Sequence, residues 1–274
     1  MAAARGEFSS RFGFLMAASG SAVGLGNIWG FPTNTASNGG AAFLIAYLVL
    51  TFLLAYPALM AELIIGRHAK SNTLTALKYI SSGKKSRLLA VALGFAGMIT
   101  VSFILSFYAI VSGWFVAYFF DPIARLLGMD GVAQWLTTDT VTRNSIFLIG
   151  FMILTIYIIS AGVKNGIEKW ASRLMPSLII ILLLLIVYVM TLAGAMDGLR
   201  AYLVPDWSRI TEPQLLVDAM GQAFFSLSLG VGTMLVYGSY IRKEENLPLV
   251  GSMVALLDVG IAVLAGMLIM PAMY

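Results

Sequence analysis

Of 274 residues, 59% are hydrophobic and only 11% are charged, where a soluble domain carries about 25% charged residues. So few charges cannot cover a water-facing surface, which excludes an ordinary soluble domain and makes lipid the expected solvent for much of the chain. There is no cysteine, which removes disulfides and thiolate metal sites, and the net charge of +4 has to be judged by where it sits.

Residues 1–11 are short and polar, unlike a cleavable leader. A spanning helix needs about 20 mainly apolar residues. Such stretches predict seven spans, near 12–37, 41–66, 88–120, 144–162, 173–195, 214–241 and 250–274. Lys and Arg alternate between the segments that join them. Thirteen of the seventeen fall on one side: Arg5 and Arg11; Arg67, Lys70, Lys78, Lys84, Lys85 and Arg87; Lys164, Lys169 and Arg173; Arg242 and Lys243. The other side holds Arg125, Arg143, Arg200 and Arg209, mixed with Asp121, Asp130, Asp139, Asp197, Asp206 and Glu212. Positive charge marks the cytoplasmic side, so a multi-pass protein of the cell (plasma or inner) membrane with its N-terminus in the cytoplasm is expected. The basic excess is then a topology signal and points to no nucleic acid. Trp29, Trp135, Trp170 and Trp207 fall near span ends, as interfacial aromatics do.

Two spans are poor helices. The first contains Ser19-Gly20-Ser21-Ala22-Val23-Gly24-Leu25-Gly26-Asn27, and the sixth Phe225-Ser226-Leu227-Ser228-Leu229-Gly230-Val231-Gly232-Thr233. Each Gly costs about 1 kcal/mol against Ala inside a helix. Close helix packing also collects small residues, but three features favour local unwinding. The G-x-G spacing does not repeat along one helical face, hydroxyl and amide side chains (Ser21, Asn27, Ser226, Ser228) are interspersed, and the two stretches resemble each other. Irregular backbone at membrane depth is tolerated where it lines a cavity or is buried in protein, and paired interruptions of this kind point to a transporter site between repeats. A dinucleotide-binding reading of Gly24-Leu25-Gly26 fails, because no strand precedes it and the spacing to Gly30 is wrong.

The motif Ala22-Val23-Gly24-Leu25-Gly26-Asn27, followed by Phe31-Pro32 and Asn38-Gly39-Gly40, resembles the first-span signature of the neurotransmitter:sodium symporter family, most closely its bacterial amino-acid branch typified by the leucine transporter. Glu62 with Gly66-Arg67, Tyr108, Gly166-Ile167-Glu168, Gly221-Gln222 and Ser228-Leu229-Gly230 extend the likeness over the whole chain. It implies an all-α membrane bundle of the inverted-repeat type, incomplete here, with about seven spans of which the first and sixth are broken. Residues 1–274 would form a single transmembrane domain, the first five-helix repeat over 1–195 and the start of the second over 214–274. Against a family plan of ten core spans, the chain is expected to be truncated after about the seventh.

The resemblance also implies roles. The first Na⁺ would meet the Ala22 carbonyl, the Asn27 side chain, Ser226 and Asp258, with the substrate carboxylate completing the shell; a second would meet the carbonyls of Gly20 and Val23. The substrate carboxylate would face the amides of Leu25 and Gly26 and the Tyr108 hydroxyl. Its ammonium would face the carbonyls of Ala22 and Phe225 and the hydroxyls of Ser226 and Ser228. Ile104, Tyr108, Phe225 and Val231 would shape side-chain specificity, although Ile104 and Val231 taken alone read as ordinary packing. Glu62 matches a position that braces the freed backbone of the sixth span, and Arg5 and Tyr240 match the cytoplasmic gate.

Ionisable groups inside spans are costly and functional by default. Asp258, with apolar runs on both sides, is the strongest case, whereas Asp218 reads as a solvated helix start and His68 has no partner implying chemistry. Gly24 stands where monoamine-transporting relatives carry Asp, so the substrate is expected to bring its own carboxylate. Gly30 replaces a gating Arg common in the family. The resemblance therefore implies Na⁺-coupled amino-acid symport, with no enzyme activity expected. No chloride is expected either, because Asp258, one helical turn before Ala262, would supply the negative charge. A homodimer is left open. The alternative is a non-transporting membrane fragment.

Overall fold

The computed structural model describes residues 6–274, so the expected gate residue Arg5 lies outside the described residues. Among these, every regular element is a helix. The first span is two helices, Arg11–Ala22 and Gly26–Ser37, bent by 57° at the glycine cluster. Its start is fixed by Ser10, whose hydroxyl accepts from the Gly13 amide at 2.9 Å, a standard N-cap. The second span runs Ala41–Ala69, and a short helix, Thr73–Ile80, leads into the third, Lys84–Leu126. At 43 residues and 1.5 Å per residue, the third is about 65 Å long. It overruns the apolar stretch expected at 88–120 at both ends.

The fourth span is Val141–Ser160 and the fifth Val163–Val189. The fifth departs from the expected 173–195. It begins ten residues earlier, where Gly162 turns the chain with φ +81°. It ends sooner, because residues 190–194 form a turn that leads into a separate helix, Ala195–Leu203. Pro176 sits inside it without ending it. The sixth is Pro213–Ser226 and Thr233–Gly238, separated by turns, and the seventh is Leu247–Ala272. Among the described residues five uninterrupted helices are long and apolar enough to cross a membrane, and the bent first pair makes a sixth. The sixth span falls outside that group, since its arms of 14 and 6 residues rise only about 21 and 9 Å. The expected seven crossings therefore hold only if both arms lie in the membrane.

The seventh helix is the centre of the bundle, with 56% of its most apolar window buried against 6% in the fourth. It packs on both arms of the first span, the second, the fifth and the helix Ala195–Leu203. The fourth span is the least packed of these helices, with most of its residues exposed. The second span and the short arm of the sixth, Thr233–Gly238, cross through glycines. A Cβ at Gly66 would run into the Leu235 carbonyl, and one at Gly238 would lie 2.7 Å from the Leu63 carbonyl.

Arg143, which its place in sequence marks as a loop charge, is 1% exposed. Its Nε donates to Asn144 Oδ1 at 3.2 Å and its Nη1 to the Leu136 carbonyl at 3.1 Å. The guanidinium lies 5.6 Å from the centre of the Tyr118 ring. Asn144 in turn accepts from Trp114 at 3.1 Å and donates to Asp139 at 2.7 Å. This network ties the short helix Asp130–Thr137 to the C-terminal part of the third span and the start of the fourth.

The glycine crossing yields the first prediction. Gly66→Ala forces backbone apart and should destabilise the chain by about 1–3 kcal/mol, the usual cost of overpacking. Gly150→Ala, inside the fourth span where a Cβ meets nothing within 4 Å, should hold the unfolding midpoint or raise it, since Ala is favoured over Gly inside a helix by about 1 kcal/mol. Thermal unfolding of both variants in detergent decides it; equal midpoints would show that the close approach carries no weight.

Candidate functional site

In the first span the helix stops at Ala22, and Val23 is extended (φ −74°, ψ 118°). Two amides that would continue it are diverted. The Gly24 amide donates to Asn27 Oδ1 at 3.2 Å, and the Asn27 amide turns back to the Gly24 carbonyl at 3.1 Å. In an unbroken helix they would bond the carbonyls of Gly20 and Val23, so both carbonyls lose their helical donors. The Ser21 carbonyl accepts instead from Ser228 Oγ at 3.1 Å, a bond that ties one break to the other.

In the sixth span the helix stops at Ser226, and Ser228, Gly230 and Gly232 take left-handed φ values of 55°, 82° and 81°. Ser228 is the one with a side chain, and that conformation costs an L-residue about 1–2 kcal/mol. Glu62, from the second span, reaches into the break. Its carboxylate accepts from the Gly230 amide at 2.7 Å and the Leu235 amide at 3.2 Å. Thr73 Oγ1 donates to the Gly232 carbonyl at 3.1 Å.

The two breaks meet the seventh helix at Asp258. Asn27, Ser226 and Asp258 are 0%, 1% and 0% exposed. Ser226 Oγ donates to the Asp258 carboxylate, 2.7 Å from Oδ2 and 2.9 Å from Oδ1. Asn27 Nδ2 donates to Asp258 Oδ1 at 2.8 Å and Ser226 Oγ at 3.0 Å. Tyr47 and Ala262, both 0% exposed, are buried in the same core. Among the described residues Asp258 forms no salt bridge.

Beside this trio lies a cleft of about 320 Å³ lined by Leu25, Gly26, Trp29, Tyr108, Gln222 and Phe225 among others. The amides of Leu25 and Gly26 face the Tyr108 hydroxyl. A Cβ at Gly26 would lie 2.9 Å from the Phe225 ring, and one at Gly24 3.1 Å from Tyr108 Oη, so both glycines let aromatic side chains approach the backbone. Gln222 Nε2 donates to the Gly26 carbonyl at 2.8 Å, and Asn34 donates to Gln222 Oε1 at 3.3 Å. Ile104 and Val231 lie outside this cleft. Ile104 is half-buried one turn before Tyr108 on the third helix. Val231 sits beyond the left-handed turn and lines a separate cleft of about 630 Å³ with Thr73, Met98 and Ser102.

At the start of the first span, Phe8 donates its amide to the Tyr240 carbonyl at 3.3 Å and packs edge-on to the Tyr240 ring. Arg11 pairs with Glu245 at 2.8 Å and Lys70 with Glu7 at 2.9 Å, and the Lys70 ammonium holds the exposed Glu7 carboxyl below its ordinary range. Glu168, 5% exposed, accepts from the Ser9 amide at 2.7 Å and Ser10 Oγ at 3.1 Å. In the sequence Glu168 stands only as part of a motif, Gln222 carries no assigned cleft role, and Trp29 and Asn34 are not marked as lining. A carboxylate beside the start of a span and an amide one turn before a break were the available signals.

The family model described as Sodium:neurotransmitter symporter family matches residues 5–146 and 139–273. The sodium-dependent transporter YhdH of Bacillus subtilis is 35% identical over 98% of this chain and 59% of its own length. The sodium- and chloride-dependent taurine transporter of Bos taurus is 29% identical over 88% of this chain and 45% of its own length. Among solved structures, MhsT in complex with L-phenylalanine matches with a TM-score of 0.84 and 39% identity, over 98% of this chain and 61% of that one. The chain thus spans about three-fifths or less of the length of these relatives, and in fold and sequence alike it belongs to the sodium:neurotransmitter symporter family.

Proposed function

We propose that this chain carries the substrate- and sodium-binding part of a sodium-coupled amino-acid symporter, set in the cell membrane with its N-terminal segment in the cytoplasm. The observation that carries the reading is the buried trio Asn27, Ser226 and Asp258, drawn from three spans where both broken helices meet. A carboxylate at membrane depth is costly without compensation, and here only hydroxyl and amide donors reach it. Two carboxylate oxygens, one hydroxyl, one amide oxygen and the Ala22 carbonyl approach the roughly six oxygens a hard cation takes. Among the described residues no group of three or more His, Cys, Asp and Glu could hold a metal, so a single carboxylate suits a monovalent cation. For Asn27 to ligate, its amide must turn its oxygen inward from the Gly24 amide. The carbonyls of Gly20 and Val23, stripped of their helical donors, suit a second Na⁺ whose other ligands come from outside this stretch.

The cleft beside the trio suits the substrate. Its carboxylate would take the place of the Tyr108 hydroxyl at the Leu25 and Gly26 amides, at the positive end of the half-helix Gly26–Ser37. Its ammonium would face the carbonyls of Ala22 and Phe225 and the hydroxyl of Ser226. Ser228, bonded to the Ser21 carbonyl, holds the two breaks together, and Phe225 and Tyr108 form the walls. A side chain at position 24 would crowd Tyr108 Oη, which supports a substrate that supplies its own acid. The phenylalanine held by MhsT is of this class. Glu62 keeps the inner arm of the sixth span in place, and Tyr240 with Phe8 closes the cytoplasmic end.

The test is equilibrium binding of radiolabelled amino acids to the full-length protein as sodium is titrated. Asn27→Ala leaves a desolvated cation short of one oxygen, so the sodium midpoint should rise about tenfold or more. Decarboxylated amines should bind far more weakly than their parent amino acids. An unmoved sodium midpoint, or equal affinity for an amino acid and its amine, would sink the assignment.

Chloride should be dispensable, unlike in the taurine transporters whose name records it. An ionised Asp258 supplies the negative charge beside Na⁺, one helical turn before the buried Ala262, at a depth where charges are weakly screened. Uptake with chloride replaced by gluconate should be unchanged in the wild type and become chloride-sensitive in Asp258→Asn. Wild-type uptake that collapses without chloride contradicts this.

A further inference from the structure

The stretch from Lys78 to Leu89 is strongly basic and apolar at once, and it takes no part in the site described above. No acidic residue occurs between Glu62 and Asp121. Within that interval Lys78, Lys84, Lys85 and Arg87 gather at the joint between the helices Thr73–Ile80 and Lys84–Leu126. Lys84, Lys85 and Arg87 are exposed and Lys78 is half-buried. Among the described residues none of the four forms a salt bridge. Neighbouring cations on this face are engaged: Arg11 with Glu245, Lys70 with Glu7, Arg67 with the Glu245 carbonyl and Arg242 with the Ser9 carbonyl.

Large apolar side chains flank the charges. Tyr79, Ile80, Leu88 and Leu89 are 66%, 49%, 72% and 60% exposed. Leu88 and Leu89 open the long apolar run of the third span, so the charges stand within about 6 Å of its start along the helix axis. That is the depth of lipid headgroups, where aromatic rings and long basic side chains anchor. The exposed Ser82 and Ser86 add hydroxyls, and at Gly83 a Cβ would meet nothing within 4 Å, leaving the backbone of the joint open.

We propose that this joint is a docking surface for the headgroup of an anionic phospholipid in the leaflet on the N-terminal side. Lys78, Lys84, Lys85 and Arg87 surround the phosphate, while Tyr79, Ile80, Leu88 and Leu89 lie along the acyl chains. Charge complementarity selects the occupant, because each basic residue near an anionic surface favours it by about fivefold and no acid of the same interval cancels that pull. The surface is distinct from the transport site and stands whether or not that site binds sodium.

The chain has no cysteine, so Ser82→Cys carries a single fluorophore. The protein is placed in nanodiscs of phosphatidylglycerol and phosphatidylcholine, with bromine on the acyl chains of one lipid or the other. Brominated phosphatidylglycerol should quench the fluorophore several-fold more than brominated phosphatidylcholine. The preference should fall to parity in the K84Q/K85Q/R87Q variant and stay unchanged in K164Q/K169Q/R173Q, which removes three exposed cations at the start of the fifth span. Equal quenching by the two lipids overturns the proposal. So does a preference that survives the first triple, is lost in the second, or is abolished by inorganic phosphate in solution.

Discussion

Lipid hydrogen-bonds no backbone, so a helix broken at membrane depth must find a protein or ligand partner for every amide and carbonyl it releases. That requirement organises the molecule. At the first break the Asn27 side chain takes the Gly24 amide, Ser228 takes the Ser21 carbonyl, and Gln222 takes the Gly26 carbonyl. At the sixth, Glu62 takes two amides and Thr73 a carbonyl. All of these partners except Asn27 come from another part of the chain, so each break leans on its neighbours. The bundle exists, in this sense, to hold two interruptions against each other.

What the partners leave over is the chemistry. The carbonyls of Gly20 and Val23 lose their helical donors, and the amides of Leu25 and Gly26 face the Tyr108 hydroxyl beside the cleft; under the proposed function an ion and a substrate carboxylate complete them. Asp258 arrives on the most buried of the unbroken spans and brings the one carboxylate of the trio. Small residues make the geometry attainable. Without a Cβ at Gly26 the Phe225 ring can close one wall of the cleft, and without one at Gly66 the short arm of the sixth span can lie against the second.

Much of this was legible in the sequence, because hydropathy is a strong signal and a G-x-G cluster inside an apolar stretch has few other uses. The breaks, Asp258 as the deep carboxylate and the brace at Glu62 could be anticipated from residue type and family likeness. Boundaries were less legible. The fifth span starts at Val163 because the polar run Lys164–Lys169 is helical at the interface, which composition reads as loop. Arg143 reads as a loop charge, and only the placement of Asn144, Tyr118 and Leu136 reveals that it is buried. Val231 shares a motif with the cleft residues, but the left-handed turns at Gly230 and Gly232 carry it to a different surface. The orientation of the Asn27 amide, with its nitrogen among the oxygens, depends on three spans meeting and has no local signature.

The measurement closest to the central claim, that Asn27, Ser226 and Asp258 form a cation site, is the thermal unfolding midpoint of the purified chain in sodium, potassium and choline chloride at equal ionic strength. A ligand that binds only the folded state raises the midpoint in proportion to its occupancy. Sodium should raise it above both other salts in the wild type, and that difference should vanish in Ser226→Ala. Identical midpoints in all three salts would contradict the cation site.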